Sequence, residues 1–186
     1  MKRGTRVTAL AVAAVVSGTG FATAGHSAYT VRGTTHIAKP DTDLELGPGR
    51  AELDTGPGTF SGTITLPPAV VTRSLPGVGQ VSGTVTFGPG HAEGSLAGGF
   101  SGSATWPVTL TDVRVNGVSY DVGECGTAEP LTTELTSGDF TPGTGGRLES
   151  TYAIGAFENC GSATPMINAV VPGPGNTLAL DFTAAG

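Results

Sequence analysis

The parts of this chain from which chemistry could be built are two acidic groupings, three histidines, one cysteine pair and rows of strand hydroxyls. Asp41, Asp43 and Glu45 share one face of an extended segment, and Glu52 follows where a calcium loop would carry its bidentate glutamate. The glycine such a loop needs at its sixth position is Leu46, so the sharp turn is missing and a solvated strand edge is expected. Asp112 and Asp121 flank Asn116-Gly117 and would face each other in a two-residue hairpin register. Like charges directly opposed are unfavourable unless a cation intervenes, and Arg114 on the same face supplies one. Neither grouping predicts a metal site.

The histidines are His26, His36 in the first predicted strand and His91 in a Gly-Pro-Gly loop, and none lies in an H-x-x-x-H pattern. Gly99-Phe-Ser-Gly-Ser103 fails the nucleophile-elbow pattern at its last position and sits inside a repeat, which makes Ser101 a strand hydroxyl. The Gly-Pro-Gly turns lack the helix N-terminus and lysine that phosphate binding uses. No catalytic residue and no cofactor-binding residue is predicted.

Cys125 and Cys160 are the only cysteines, so one intramolecular connectivity is possible. The first residues agree with an oxidising compartment. Lys2, Arg3 and Arg6 precede an apolar run from Val7 to Val16, and Ala22-Thr-Ala24 supplies small residues for cleavage before Gly25. This predicts a secretory signal peptide over 1–24 and a single secreted β domain over 25–186, extracellular or cell-wall associated. The apolar run is too short for a bilayer span. A disulfide between the two cysteines is expected, contributing about 4 kcal/mol through the unfolded state in the chain-entropy model. A metal or redox pair would need further ligands or a C-x-x-C spacing, which the sequence lacks.

The formal charge of the chain is −6, and removal of the basic leader makes the remainder more acidic still. Such a surface repels nucleic acid and anionic lipid.

The elements that would position these residues are short strands. Phe60-Ser-Gly-Thr-Ile-Thr-Leu66, Val81-Ser-Gly-Thr-Val-Thr-Phe87 and Phe100-Ser-Gly-Ser-Ala-Thr-Trp106 repeat one pattern, apolar or Gly alternating with hydroxyls. Val31 to Ile37 and Leu148 to Ile154 are weaker copies. Thirty-one Gly and thirteen Pro, with Gly-Pro-Gly at 47–49, 56–58, 88–90 and 173–175, predict turns that no helix crosses. The resemblance of Leu46-Gly-Pro-Gly-Arg-Ala-Glu52 to Phe87-Gly-Pro-Gly-His-Ala-Glu93 suggests a duplicated hairpin and a meander over 47–106. Asn116-Gly117 between alternating runs predicts a type I′ hairpin pairing Val115 with Val118, Arg114 with Ser119 and Val113 with Tyr120. Further strands are expected at 131–137, 147–154, 166–171 and 177–183. About nine strands, most with one apolar face, must stack as an antiparallel β-sandwich or close as a β-barrel, and the sandwich is favoured.

The elements Leu46-Gly-Pro-Gly, Ile64-Thr-Leu-Pro-Pro68, Val113 to Val122 leading into Gly123-Glu-Cys125, Thr127-Ala-Glu-Pro-Leu131, Asn159-Cys-Gly161 and Val171-Pro-Gly-Pro-Gly-Asn176 resemble secreted all-β proteins of high-GC actinobacteria, a group of unknown function. The resemblance implies export, a β domain and the cysteine pair. It transfers no site residue.

The expected function is therefore a non-enzymatic binding or cell-envelope interaction module. Ser61, Thr63, Thr65, Ser82, Thr84 and Thr86 would form an exposed hydroxyl face for a cell-wall polymer or glycan, while Phe60, Ile64, Leu66, Val81, Val85, Phe87, Phe100 and Trp106 fill one core. A carrier of an apolar small molecule in a barrel cavity is the alternative, and a hydrolase stands behind both.

Overall fold

The computed structural model describes residues 25–186 apart from Gly138, and the leader read over 1–24 lies outside the described residues. The fold is all-β and antiparallel, as expected, and one of its sheets closes. Around the barrel run β1 (Gly25–Ile37), β2 (Thr42–Gly56), β3 (Thr59–Thr65), β6 (Gly90–Ser95), β7 (Phe100–Trp106), β11 (Leu131–Ser137), β12 (Gly145–Ile154) and β14 (Gly173–Ala184). Closure comes from β1, which pairs with β2 on one side and with β14 on the other. The barrel named as the alternative thus replaces the favoured sandwich, because the first and last strands find each other.

Alternation explains the filling of the barrel. Tyr29, Val31, Leu53, Phe60, Ile64, Ala104, Trp106, Leu135, Leu148, Leu180 and Phe182 all point inward and are buried. Phe60 lies over two glycines. A Cβ at Gly102 would come 2.6 Å from Phe60 Cζ, and one at Gly94 would come 2.8 Å from Phe60 Cε1. Two expected turns lie within strands instead. Gly47-Pro48 belongs to β2, where the pairing shifts from Val31↔Gly49 to Gly33↔Leu46. This bulge moves the inward phase from Thr42, Leu44 and Leu46 to Ala51 and Leu53, so both ends of one long strand face the core. Gly173-Pro174-Gly175 likewise opens β14.

The remaining strands leave the barrel from one end and build a second sheet there. β4 (Ala69–Leu75) and β5 (Gly79–Phe87) are inserted between β3 and β6. β8 (Val108–Val115), β9 (Val118–Ser119) and β10 (Gly126–Thr127) lie between β7 and β11, and β13 (Phe157–Glu158) follows β12. Their order is β13-β10-β8-β5-β4, with β9 beside β8. The meander over 47–106 is therefore interrupted, and the repeat copy Val81 to Phe87 sits in this cap rather than beside its relatives in the barrel. Local alternation is the same in both sheets, so it could not separate them. Residues 166–171, expected as a strand, fall mostly in the helix α1 (Thr164–Val170), with Pro165 in its first turn and a 3₁₀ turn, Gly161–Ala163, before it.

The opposite end is plugged by aromatics. Phe140, on the β11–β12 connection, has its ring 4.6 Å from Phe100 and 5.8 Å from both Tyr29 and Phe182, while Phe60 stacks on Phe100 at 4.3 Å. The Tyr29 hydroxyl accepts a hydrogen bond from the Gly143 amide at 2.9 Å, which ties the plug to the wall.

Candidate ligand site

Between the open end of the barrel and the cap lies an apolar cavity of about 130 Å³. The barrel rim supplies its floor: Ile37, Leu44, Leu131, Tyr152 and Ile154. The cap supplies the roof through the inward rows Val71-Arg73-Leu75 of β4, Val81-Gly83-Val85-Phe87 of β5 and Val108, Leu110 and Val113 of β8. α1 and its C-cap close one side with Met166, Ile167, Val170 and Val171. Below this floor, among the described residues, a space of about 10 Å³ lies between Thr35, Leu46, Trp106 and their neighbours. The barrel is thus a packed core, and the space lies above it. Val71, Val85, Phe87, Leu110, Met166 and Val171 are only partly buried, although they pack against the core.

Three polar side chains on the lining have hydrogen-bond partners. Tyr152 bonds Thr35 through its hydroxyl at 2.6 Å, and burial pushes its phenol above the ordinary value, which keeps it neutral. Thr42 donates to the Pro40 carbonyl at 3.0 Å. Arg73 reaches Asp41 at 3.0 Å, joining the outer strand of the cap to the β1–β2 turn on the barrel rim.

Three cross-links hold the walls. Cys125 and Cys160 are bonded, with Cα atoms 4.2 Å apart, slightly below the usual spacing, and they fasten the start of β10 to the turn before α1. Asn168 on α1 clamps Phe157 of β13, accepting from its amide at 2.7 Å and donating to its carbonyl at 2.9 Å. Asn176, buried on β14, accepts from the Ala38 amide and donates to the carbonyls of Tyr152 and Gly173, fixing the β1–β2 turn to the rim. Nothing in the sequence patterns singled out Asn168 or Asn176; only the folded chain puts them next to unpaired backbone groups.

The predicted groupings take other places. Asp43 bonds His36 Nδ1 at 2.8 Å, Asp41 pairs with Arg73, and Glu45 faces outward on β2, which is a strand inside a closed barrel and no edge. The Asn116-Gly117 hairpin forms with positive φ at both residues and with Val115↔Val118 and Arg114↔Ser119 paired. Tyr120 still donates its amide to Val113, but the pairing does not reach Asp112 and Asp121. Asp112 lies in a bulge of β8 at φ 53° and accepts from Thr84, while Asp121 accepts from the Gly123 amide, so the opposed carboxylates never meet. His91 lies in β6, not in a loop, opposite Thr63 and Thr105. His26 bonds Asp54 at 2.8 Å on the outer wall. Ser101 stands between Ser95 and Thr136. Among the described residues, no serine is hydrogen-bonded to a histidine ring, and no group of three or more His, Cys, Asp or Glu is placed to hold a metal ion.

The hydroxyl rows do not form one lattice. Ser61 and Thr63 on β3 and Ser103 and Thr105 on β7 are separated by Glu93 and His91 of β6, and Ser82, Thr84 and Thr86 belong to the cap. Of the eight residues expected in one core, Phe60, Ile64, Leu66, Phe100 and Trp106 fill the barrel, whereas Val81, Val85 and Phe87 line the cavity. Comparison of the chain with protein-family models, curated proteins and solved structures finds no match.

Proposed function

We propose that this protein binds a small apolar molecule in the cavity between barrel and cap. The observation that carries the reading is the contrast between a tightly filled barrel and an adjoining apolar space of about 130 Å³. A cavity of about 150 Å³ lined by Leu, Ile and Phe stays dry and takes up benzene, so this space suits a body of about six to eight carbons. The partly buried lining gives a ligand apolar contacts that the fold leaves incompletely covered. We read the leader at residues 1–24 as placing this binding outside the cell. The reading assigns no reaction.

Toluene tests it. Saturating toluene should raise the melting temperature of the purified protein, because a ligand that binds only the folded state stabilises it by mass action. Val85→Phe, which fills the roof, should abolish the shift. No shift with the native chain, or an equal shift with the filled variant, refutes the reading.

A second reading, surface contact with a cell-wall polymer or glycan, draws on the outward hydroxyls of β3 and β7. It is the weaker of the two, because Glu93 and Glu134 lie among those hydroxyls. Tyr120, the exposed large aromatic among the described residues, is on the other sheet's hairpin.

A further inference from the structure

We infer that the ligand is a small monocarboxylate, its apolar body in the cavity and its carboxylate on Arg73. The inference rests on the cavity reading above. Among the described residues lining the cavity, Arg73 alone carries a charge. Its position makes that charge significant: β4 turns Val71, Arg73 and Leu75 toward the cavity, while Val70, on the opposite face, is 73 % exposed. The alternation thus puts a cation where an apolar side chain belongs, in an otherwise uncharged lining.

Arg73 has donors to spare. Asp41 accepts from one terminal nitrogen, and a guanidinium carries five N–H groups in a planar fork matched to a carboxylate. The Asp41 pair gives little reason by itself for an inward arginine, since its side chains are 44 % and 80 % exposed and such pairs contribute little. Asp41 instead competes for the guanidinium and weakens its hold on a second anion. A ligand whose body of about six to eight carbons fills the cavity carries its head group to the rim, and Arg73 is the charged lining residue there to meet it.

The test compares a carboxylate with the alcohol of the same length, hexanoate with hexanol and octanoate with octanol, by calorimetry or ligand-observed NMR. Each acid anion should bind about threefold to tenfold more tightly than its alcohol. Lengthening the chain should raise both affinities by about fourfold per methylene until the cavity is full. Arg73→Gln should erase the preference for the acid while the alcohol still binds. Arg73→Lys should keep part of the preference, and Asp41→Asn should increase it. An alcohol that binds as well as its acid, or a preference that survives in Arg73→Gln, overturns the carboxylate assignment while leaving the cavity reading intact. If neither series binds, the cavity reading falls and takes this one with it. Loss of monodispersity in Arg73→Gln with no change in ligand preference would instead identify Arg73 as an inward charge that protects the sheet edge, which also overturns the assignment.

Discussion

Thr35 Oγ1 lies 2.6 Å from the Tyr152 hydroxyl, and the same threonine hydroxyl donates to the Thr177 carbonyl at 2.8 Å. With its one proton committed to Thr177, Thr35 accepts from Tyr152, so the phenol is the donor and must stay protonated to keep the bond. This chain of three groups joins β1, β12 and β14 beneath the cavity floor. Burial favours the neutral phenol and raises its pKa above the ordinary value of 10.0. A group whose folded pKa is raised contributes stability below its unfolded value and loses that contribution as pH climbs through the folded one. Denaturant titrations should therefore show stability declining from about pH 10 upward, and Tyr152→Phe should flatten that part of the profile. Near neutral pH the same variant should cost about 1 kcal/mol, since Thr35 keeps its bond to Thr177. An unchanged alkaline limb would show that another group governs it.

Gly102→Val should be far more damaging than Gly117→Val. At Gly117 the strain is conformational, a φ of 81° that a β-branched residue resists, and a Cβ there meets open space. The cost should be about 1–2 kcal/mol. At Gly102 a side chain would strike Phe60 and the Glu93 carbonyl, a buried ring and a fixed ladder oxygen, and neither can give way. A loss of about 3 kcal/mol or more is expected there. Urea midpoints of the two variants decide the order, and equal losses would mean that Phe60 repacks.

The Asn116-Gly117 hairpin and the cysteine pair were legible in the sequence because each depends on neighbours close in the chain or on a pairing with no alternative. The inward faces of β3 and β7 were legible for the same local reason, since a period of two marks them directly. What the sequence hid was decided by distant contacts. Val81 to Phe87 carries the same pattern as Phe60 to Leu66, yet one pairs with β8 and the other with β2, and nothing within either segment records the choice. The Gly47-Pro48 bulge reads as a turn until Arg32 is seen opposite it. α1 is seven residues long, too short for a 3.6-residue period to show, and its valine and isoleucine imitate a strand. The cavity followed from these omissions, because it lies between the parts of the chain that were assigned to one core.

Asn168→Ala should loosen the wall that α1 provides. The substitution strips both the amide and the carbonyl of Phe157 of their side-chain partner, and Phe157 itself is buried. Leaving such groups unsatisfied should cost about 2–3 kcal/mol. Hydrogen exchange should speed up first at Ile167 to Val171, whose protection depends on the helix staying docked, while the barrel strands remain protected. Toluene stabilisation should shrink in parallel. Uniform acceleration across the barrel would indicate instead that α1 and the barrel unfold as one unit.

The disulfide should matter for stability and for the cavity to different degrees. Cys125→Ser with Cys160→Ser removes a bridge across 35 residues, and the chain-entropy estimate puts the loss at about 4 kcal/mol. The closed loop contains β11 and β12 of the barrel and β10 and β13 of the cap, so the unfolded chain gains freedom across both sheets when the bridge is gone. In the folded state the effect should be local. The Leu110 amide still bonds the Cys125 backbone carbonyl, and Asn168 still holds α1 to β13, so two ties to the cap survive without sulfur. The double serine variant should therefore show a urea midpoint lowered in step with that loss while binding toluene with little change in affinity at temperatures where it remains folded. If affinity collapses while the barrel stays protected from exchange, the bridge itself shapes the cavity wall, and the ties through Leu110 and Asn168 are too weak to hold it.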